Sequence, residues 1–312
     1  MKSVIIRAAS KLFEAFGNGR GLSVVTFHRF GAGTGIGKDE IRHHIDYLGR
    51  RCEFISPEAL RQLPAPDRVA MLTVDDCHRD IYQYLFQVAV EYRVPIVICV
   101  PTDFYFRGAW LWFDRLYWMC ERAAAGAAAR VGDRSVRLTV RAELDWLKRH
   151  LKALAPERRE PLLDDIARQL KLACPPAPQD GYEAVTSQEM AEMLASGLVE
   201  LSAHTVTHTI ATVLPTSRFA AELAACKREL EAHVGREVSS FCYPNGEAGD
   251  FDDSTTEEIR RAGFASAFTS VAGLNRPPVD RYRLRRVHAH ATRAGFEKDA
   301  SGLGDFQRRV VV

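Results

Sequence analysis

The chain has 312 residues, 46% hydrophobic and 26% charged, ordinary for one large or two medium globular domains. A formal net charge of +2 leaves no electrostatic footprint for nucleic acid, so no nucleic-acid partner is expected. Seven scattered cysteines with no C-x-x-C pair indicate neither a disulfide framework nor a zinc knuckle; a reducing, cytoplasmic setting is expected.

The first stretch, "MKSVIIRAASKLFEAFGNGRG", is a poor signal peptide, because Arg7 and Lys11 interrupt its apolar run and no small-residue cleavage site follows. Residues 1–20 read as an amphipathic helix with Val4, Ile5, Ala8, Leu12 and Phe16 on one face and Gly17 as a stop. That face is expected to dock on the domain. Lys2, Arg7 and Lys11 also suit a peripheral contact with the inner face of a membrane. No segment is long and apolar enough to span a bilayer.

Strands and helices then alternate. "LSVVTFH" (22–28), "AMLTV" (70–74) and "PIVICV" (95–100) read as strands, with helices over 38–51 and 80–92 between them. Residues 104–185 break this rhythm and read as an inserted, mostly helical subdomain. Its aromatic run "WLWFDRLYW" sets Trp110, Asp114 and Trp118 on one helix face, expected to pack on the rest of the domain. Thr186 with Glu189 three residues on forms a capping box opening the next helix. "LVELSAH" (198–204), a helix over 216–235, "VSSFCY" (238–243), the helix "STTEEIRRAG", "FASAFTS" and "YRLRRVHAH" (282–290) follow. Repeated β-α units with buried strands argue a parallel α/β sheet, open or closed into a barrel. Of the late arginines, Arg283 and Arg285 should point one way from their strand and Arg286 the other. Solvated charge is the plain reading of that cluster; an anionic glycan or lipid pyrophosphate is the functional one.

Chemically competent residues fall at strand ends: His28, Asp75 and Asp76, His204 and His208, Asn245, and His288. The carboxyl ends of parallel strands converge on one rim, so one shared cleft is expected. Adjacent carboxylates ending a buried strand repel and are costly to desolvate. Capping of the following helix would explain them blandly. A metal explains them better, because two imidazoles and one carboxylate form an open-sided set for a divalent ion, and a cation lets both aspartates stay ionised. Zinc is the default, with cobalt, nickel, manganese or iron as alternatives.

These residues also resemble a family. "TVDDCHRD" resembles the TFDDG motif of polysaccharide deacetylases (the NodB homology group, carbohydrate esterase family 4). "HTVTH" resembles their H-[ST]-x-x-H motif, "FCYPNG" their F-x-Y-P-x-G motif, and "LSVVTFHRFG" their opening strand. The match runs over residues 22–103 and 186–290 in the right order. It implies a distorted (β/α) barrel of about seven parallel strands over 21–312, carrying the insertion. It also implies metal-dependent removal of N- or O-acetyl groups from a sugar, such as that of an exopolysaccharide or surface glycan. Carried over, Asp75 is the base, Asp76, His204 and His208 hold the metal, and the Asn245 N–H helps form the oxyanion hole. Tyr243 and Pro244 are expected beside the substrate. Three departures stand out. Cys77 replaces the motif glycine, the arginine of the R-x-P-Y form is replaced by Cys242, and the general-acid histidine has no clean match. His288 is the first candidate for that acid, with His290 and His28 as rivals. The alternatives to a glycan deacetylase are a silent carbohydrate-binding relative and an amidohydrolase or deformylase acting on a lipid-linked sugar or other small amide.

Overall fold

The computed structural model describes residues 2–15 and 21–310. Among these described residues ten strands form: β1 Leu22–Phe27, β2 Glu53–Phe54, β3 Val69–Asp75, β4 Ile96–Val100, β5 Ala128–Val131, β6 Arg134–Arg137, β7 Val199–Ala203, β8 Ser240–Cys242, β9 Ser266–Ala272 and β10 Leu284–His288. Seven of them close a parallel ring in the order β1, β3, β4, β7, β8, β9, β10 and back to β1. This is the expected distorted (β/α) barrel. The distortion is visible where β7 meets β8 through one residue pair, Ala203 and Phe241, and where the β9–β10 register shifts between Leu284 and Arg286. The short β2 pairs alongside the start of β3.

Alternation along each strand separates two environments. Ala70, Leu72, Val74, Ile96, Ile98 and Val100 face outward into the helical layer, where they join the main core. Leu22, Val24, Val69, Met71, Val97, Cys99, Cys242, Phe268 and Leu284 face inward and fill the lower barrel. Continuing the inward set upward gives Thr73 and Asp75 on β3 and Arg286 on β10, all buried. The upper barrel is therefore polar by register.

The insertion carries its own hydrophobic cluster, including Leu116, Met119, Leu147, Leu151, Leu163 and Ile166. It is not purely helical, since β5 and β6 form an antiparallel hairpin. Trp118 belongs to this separate cluster, with Trp110 packed against it, so the aromatic helix Trp112–Arg122 mainly builds the insertion's own core.

The N-terminal helix, Lys2–Ala15, does dock, but not through the expected face. Ser10 is buried, the Phe13 ring meets Phe306 at a tilt with centroids 5.4 Å apart, and the Arg7 Nε donates to the buried Glu297 at 2.8 Å. Val4, Ile5 and Leu12 point to solvent. The Arg7–Glu297 pair and the Phe13 contact fix the rotation, which apolar periodicity alone does not. Phe16 and Gly17 lie outside the described residues.

Candidate active site

Asp75 is the last residue of β3 and points into the barrel; the chain then turns sharply. Asp76 and Cys77 both take left-handed backbone, with φ of 73° and 67°. Such conformations cost roughly 1 kcal/mol each for residues with a Cβ. Two hydrogen bonds hold the turn: the Asp76 N–H donates to the Cys99 carbonyl and the Val185 N–H to the Cys77 carbonyl, both at 3.0 Å. Cys77 thus occupies the conformation that the motif glycine would adopt freely. It is fully buried, and burial pushes its thiol well up, so it is no nucleophile.

The turn brings the Asp76 carboxylate under two imidazoles from the loop after β7. The Nε2 atoms of His204 and His208 lie 3.5 and 3.1 Å from its Oδ1. The His28 Nε2, from the end of β1, lies 2.7 Å from Oδ2. Yet neither carboxylate oxygen receives an aligned hydrogen bond, although both are buried. The His204 Nδ1 is 2.8 Å from the Cys242 carbonyl and donates to it, which turns the Nε2 lone pair toward Asp76. Burial holds the His208 imidazole below its ordinary value, in the neutral form a metal requires. His204 shifts the other way, because its interactions with Cys242 and with the nearby Asp76 and Asp75 carboxylates outweigh its burial. The three groups can each offer one ligand atom within 4.8 Å of the others. Crowded, buried, unaligned donors of mixed N/O type fit a divalent cation.

Asp75 is handled differently. Arg286 grips it in a bidentate pair, Nη1 to Oδ1 and Nη2 to Oδ2, both at 2.8 Å. The guanidinium also donates from Nε to the Thr269 carbonyl at 2.5 Å and from Nη1 to Thr73 at 3.3 Å. Burial would raise the Asp75 carboxyl, but the Arg286 charge and hydrogen bonds outweigh it and hold it well below the usual carboxylate range. Cys242 stands where other motif forms have an arginine, and here the cation that pairs with Asp75 comes from β10 instead. Inward alternation along β10 is the signal that could have found it. Its neighbours serve the scaffold: Arg283 pairs with Asp253, and Arg281 caps the carbonyls of Leu60 and Leu63. A second buried group, Asp75 with Cys99 and Cys242, adjoins this pair, but both Asp75 oxygens are already bound to a cation.

Above these groups lies a cleft of about 320 Å³. The barrel supplies His28, Asp75, His204, His208, Asn245 and Ser270 to its walls. The insertion supplies Trp112, Phe113, Tyr117 and Lys148. Lys148 Nζ donates to the Tyr117 hydroxyl at 2.7 Å. Asp114, one turn along, reaches behind the site to the buried His78, 2.6 Å from its Nε2. The insertion therefore shapes the cleft directly, through residues that no motif marks.

Asn245 sits at the cleft with left-handed backbone, φ 60°. Gly246 follows at φ 66°, and a Cβ there would meet the Ser270 nitrogen at 2.8 Å. The expected substrate contact by Tyr243 is corrected: its ring is fully buried, stacked on Phe251 at 4.7 Å, with its hydroxyl near Thr256 and the Tyr282 carbonyl. Pro244 is buried as well and does not line the cleft. Their aromatic and ring character serves the core beneath the Asn245 turn. His288 is exposed, 3.3 Å from the Ser270 carbonyl, just outside the lining residues. His290 turns away to Asp299 at 2.9 Å. Of the three candidate acids, His28 alone lines the cleft.

Residues 167–267 match the polysaccharide deacetylase family model. The match spans less than half of the chain, and over that segment the chain is similar to polysaccharide deacetylases. The match includes His204, His208 and Asn245, while the Asp75–Asp76 turn lies before it and is placed by the fold. The structure is similar to that of IcaB from Ammonifex degensii, at 19% identity and a TM-score of 0.60, over 90% of this chain and 97% of that one. It is similar to the Streptococcus pyogenes deacetylase PplD in complex with acetate, at 14% and 0.56, over 91% and 97%. It also resembles the deacetylase domain of BpsB from Bordetella bronchiseptica, at 18% and 0.51, over 88% and 97%. At these identities the likeness is one of fold. No curated protein matches the chain.

Proposed function

We propose that the chain hydrolyses N-acetyl or O-acetyl groups on a sugar of an exopolysaccharide or surface glycan, using a divalent metal for which zinc is the first choice. The observation that carries this reading is the Asp76, His204 and His208 group set beside an ionised Asp75 in one cleft. The neighbours' deacetylase names and the family match support the acetylated carbohydrate as substrate.

A divalent ion held by Asp76, His204 and His208 supplies an acidified water and a polarised carbonyl. Asp75 accepts the water's proton. Its pairing with Arg286 keeps it charged at neutral pH, at some cost in basicity. The Asn245 N–H donates to the developing oxyanion, an interaction typically worth about 3–4 kcal/mol. His28, rather than His288, is placed to give a proton to the leaving amine. Trp112, Phe113 and Tyr117 wall off water and offer aromatic faces to a sugar ring. Seven free cysteines accord with a reducing compartment, and the proposal places the enzyme on the cytoplasmic side.

The test is acetate release from N-acetylated oligosaccharides, with metal content measured alongside. Asp75→Asn should keep its metal and lose on the order of 100-fold in rate, as expected for a lost general base. Asp76→Asn, His204→Ala and His208→Ala should lose metal. Stoichiometric metal in those three variants would sink the ligand assignment. Metal binding by the wild type with no acetate released from any member of the panel would favour a silent carbohydrate-binding relative.

A further inference from the structure

Helix Lys2–Ala15 leaves three large aliphatic side chains in solvent: Val4, Ile5 and Leu12 are 70%, 63% and 62% exposed. Their spacing puts them on one stripe of the helix. Phe306, itself 52% exposed, lies close to this helix through its contact with Phe13. Single exposed apolar residues need no explanation, but a stripe does.

Beside the helix is a groove of about 370 Å³, bounded also by helix Lys38–Gly49 and helix Arg293–Ala300. Six cationic side chains and three acidic ones line it. The acids are engaged already: Glu297 with Arg7 and His43, Asp39 with Arg42, and Asp46 with Tyr92. Lys11, Arg50 and Arg293 are exposed and form no ion pair among the described residues. Arg7 and Lys11, four residues apart, run along the edge of the helix between its docked face and its apolar stripe.

We propose that this face binds the surface of a bilayer rich in anionic phospholipid. The aliphatic stripe enters the boundary between headgroups and acyl chains, and the uncompensated cations hold the phosphates. Long basic stems can lie along apolar surface while their charged heads reach the headgroups. Apolar side chains alone would suit a second copy of the chain equally well. The free cations decide against that, because like charges would face each other across a two-fold interface. The groove shares no residue with the catalytic cleft, so this inference stands apart from the deacetylase reading.

The experiment is co-sedimentation of the full chain with vesicles of mixed phosphatidylglycerol and phosphatidylcholine, against phosphatidylcholine alone. The chain should pellet with the first and not the second, and salt should weaken the binding. Two paired variants, Ile5→Gln with Leu12→Gln and Arg50→Glu with Arg293→Glu, should each weaken binding at least about tenfold, since each basic residue near such a surface contributes about fivefold and each buried aliphatic side chain at least as much. Both should keep the wild-type melting temperature and acetate release. Equal binding to both vesicles, binding to neither, or full binding by the arginine variant would overturn the proposal. A dimer in sedimentation velocity that is lost on Leu12→Gln, without vesicle binding, would assign the face to a second copy and overturn it too.

Discussion

Replacing Arg286 tests the electrostatic argument at its centre. The side chain is 1% exposed and Asp75's is 11% exposed, so their pair is shielded from solvent. Arg286→Met roughly conserves volume and removes the charge. Asp75 then keeps a buried carboxylate whose two strongest donors are gone. Breaking one side of such a pair typically costs about 3–5 kcal/mol. At roughly 2 °C per kcal/mol for a chain of this size, the melting temperature should fall by about 6–10 °C. The sign also depends on pH. In the wild type the Asp75 carboxyl is held low, so its contribution is present above the unfolded value and is lost as pH falls. Without Arg286, burial alone raises that carboxyl. Its penalty is then present at neutral pH and relieved as pH falls towards about 4, where the carboxyl protonates. The loss on Arg286→Met should therefore be smaller at acid pH than at pH 7. Urea unfolding of chelator-treated protein, read at several pH values, measures this without a bound metal masking it. Adding Asp75→Asn to Arg286→Met should recover at least about 2 kcal/mol, because the stranded charge is gone. A loss under about 1 kcal/mol, or no recovery in the double variant, would refute the claim that this pair carries the upper barrel.

Three other outcomes are expected. His44 is buried, stacked on Phe296 at 3.8 Å, and burial pulls its imidazole down to about 3. The native state keeps it neutral while the unfolded state takes up a proton below about 6.5, so stability should fall with pH, by about 2 kcal/mol at pH 5; His44→Leu should flatten that slope in urea titrations, and an unchanged slope would refute it. Gly246→Ala would force a Cβ to within 2.8 Å of the Ser270 nitrogen at a positive φ, displacing the Asn245 turn; metal content should hold while acetate release falls by about 10²-fold or more, the typical loss of one oxyanion donor. Trp112→Ala and Lys148→Ala change the insertion's share of the cleft, so KM should rise about tenfold or more on oligosaccharide substrates, with metal content unchanged.

The barrel was legible because its strands are short buried runs and several of its connections are helices with a capping residue or a glycine stop. Thr186 with Glu189, for example, forms the reciprocal capping box its spacing implies. Boundaries moved by one to three residues. Thus β3 extends to Asp75, and the last strand contracts to Leu284–His288. Helix Pro57–Gln62 and the hairpin of β5 and β6 were not legible, since each is only a few residues long and too short to show a period. The N-terminal helix shows a different limit. Its apolar stripe is real, yet one buried carboxylate, Glu297, and one aromatic contact, Phe306, decide which side faces the domain. Both lie near the other end of the chain, where no local pattern can point to them.

Within the cleft the same division holds, and its cause is strand register. Asp75, Asp76, His204, His208 and Asn245 could be singled out because each ends a strand or begins the loop after it, so one-dimensional spacing maps onto one rim. Arg286 could not, because it lies inside a strand beside Arg285 and just after Arg281 and Arg283, all equivalent in composition. Only alternation tells them apart: Leu284 and Arg286 share the inward face, while Arg285 between them points outward to Ala272 and Asp305. Once the ring is closed, the inward position near the top of β10 faces the inward position at the top of β3, and a guanidinium there meets a carboxylate. The departure at Cys242 then acquires a physical reason. With the cation supplied from β10, the position that other motif forms give to arginine lies against an already paired Asp75, and a second buried cation there would have no counter-charge left. A small side chain ending in sulfur, 3.5 Å from Asp75 Oδ1, fits that space without adding a second cation.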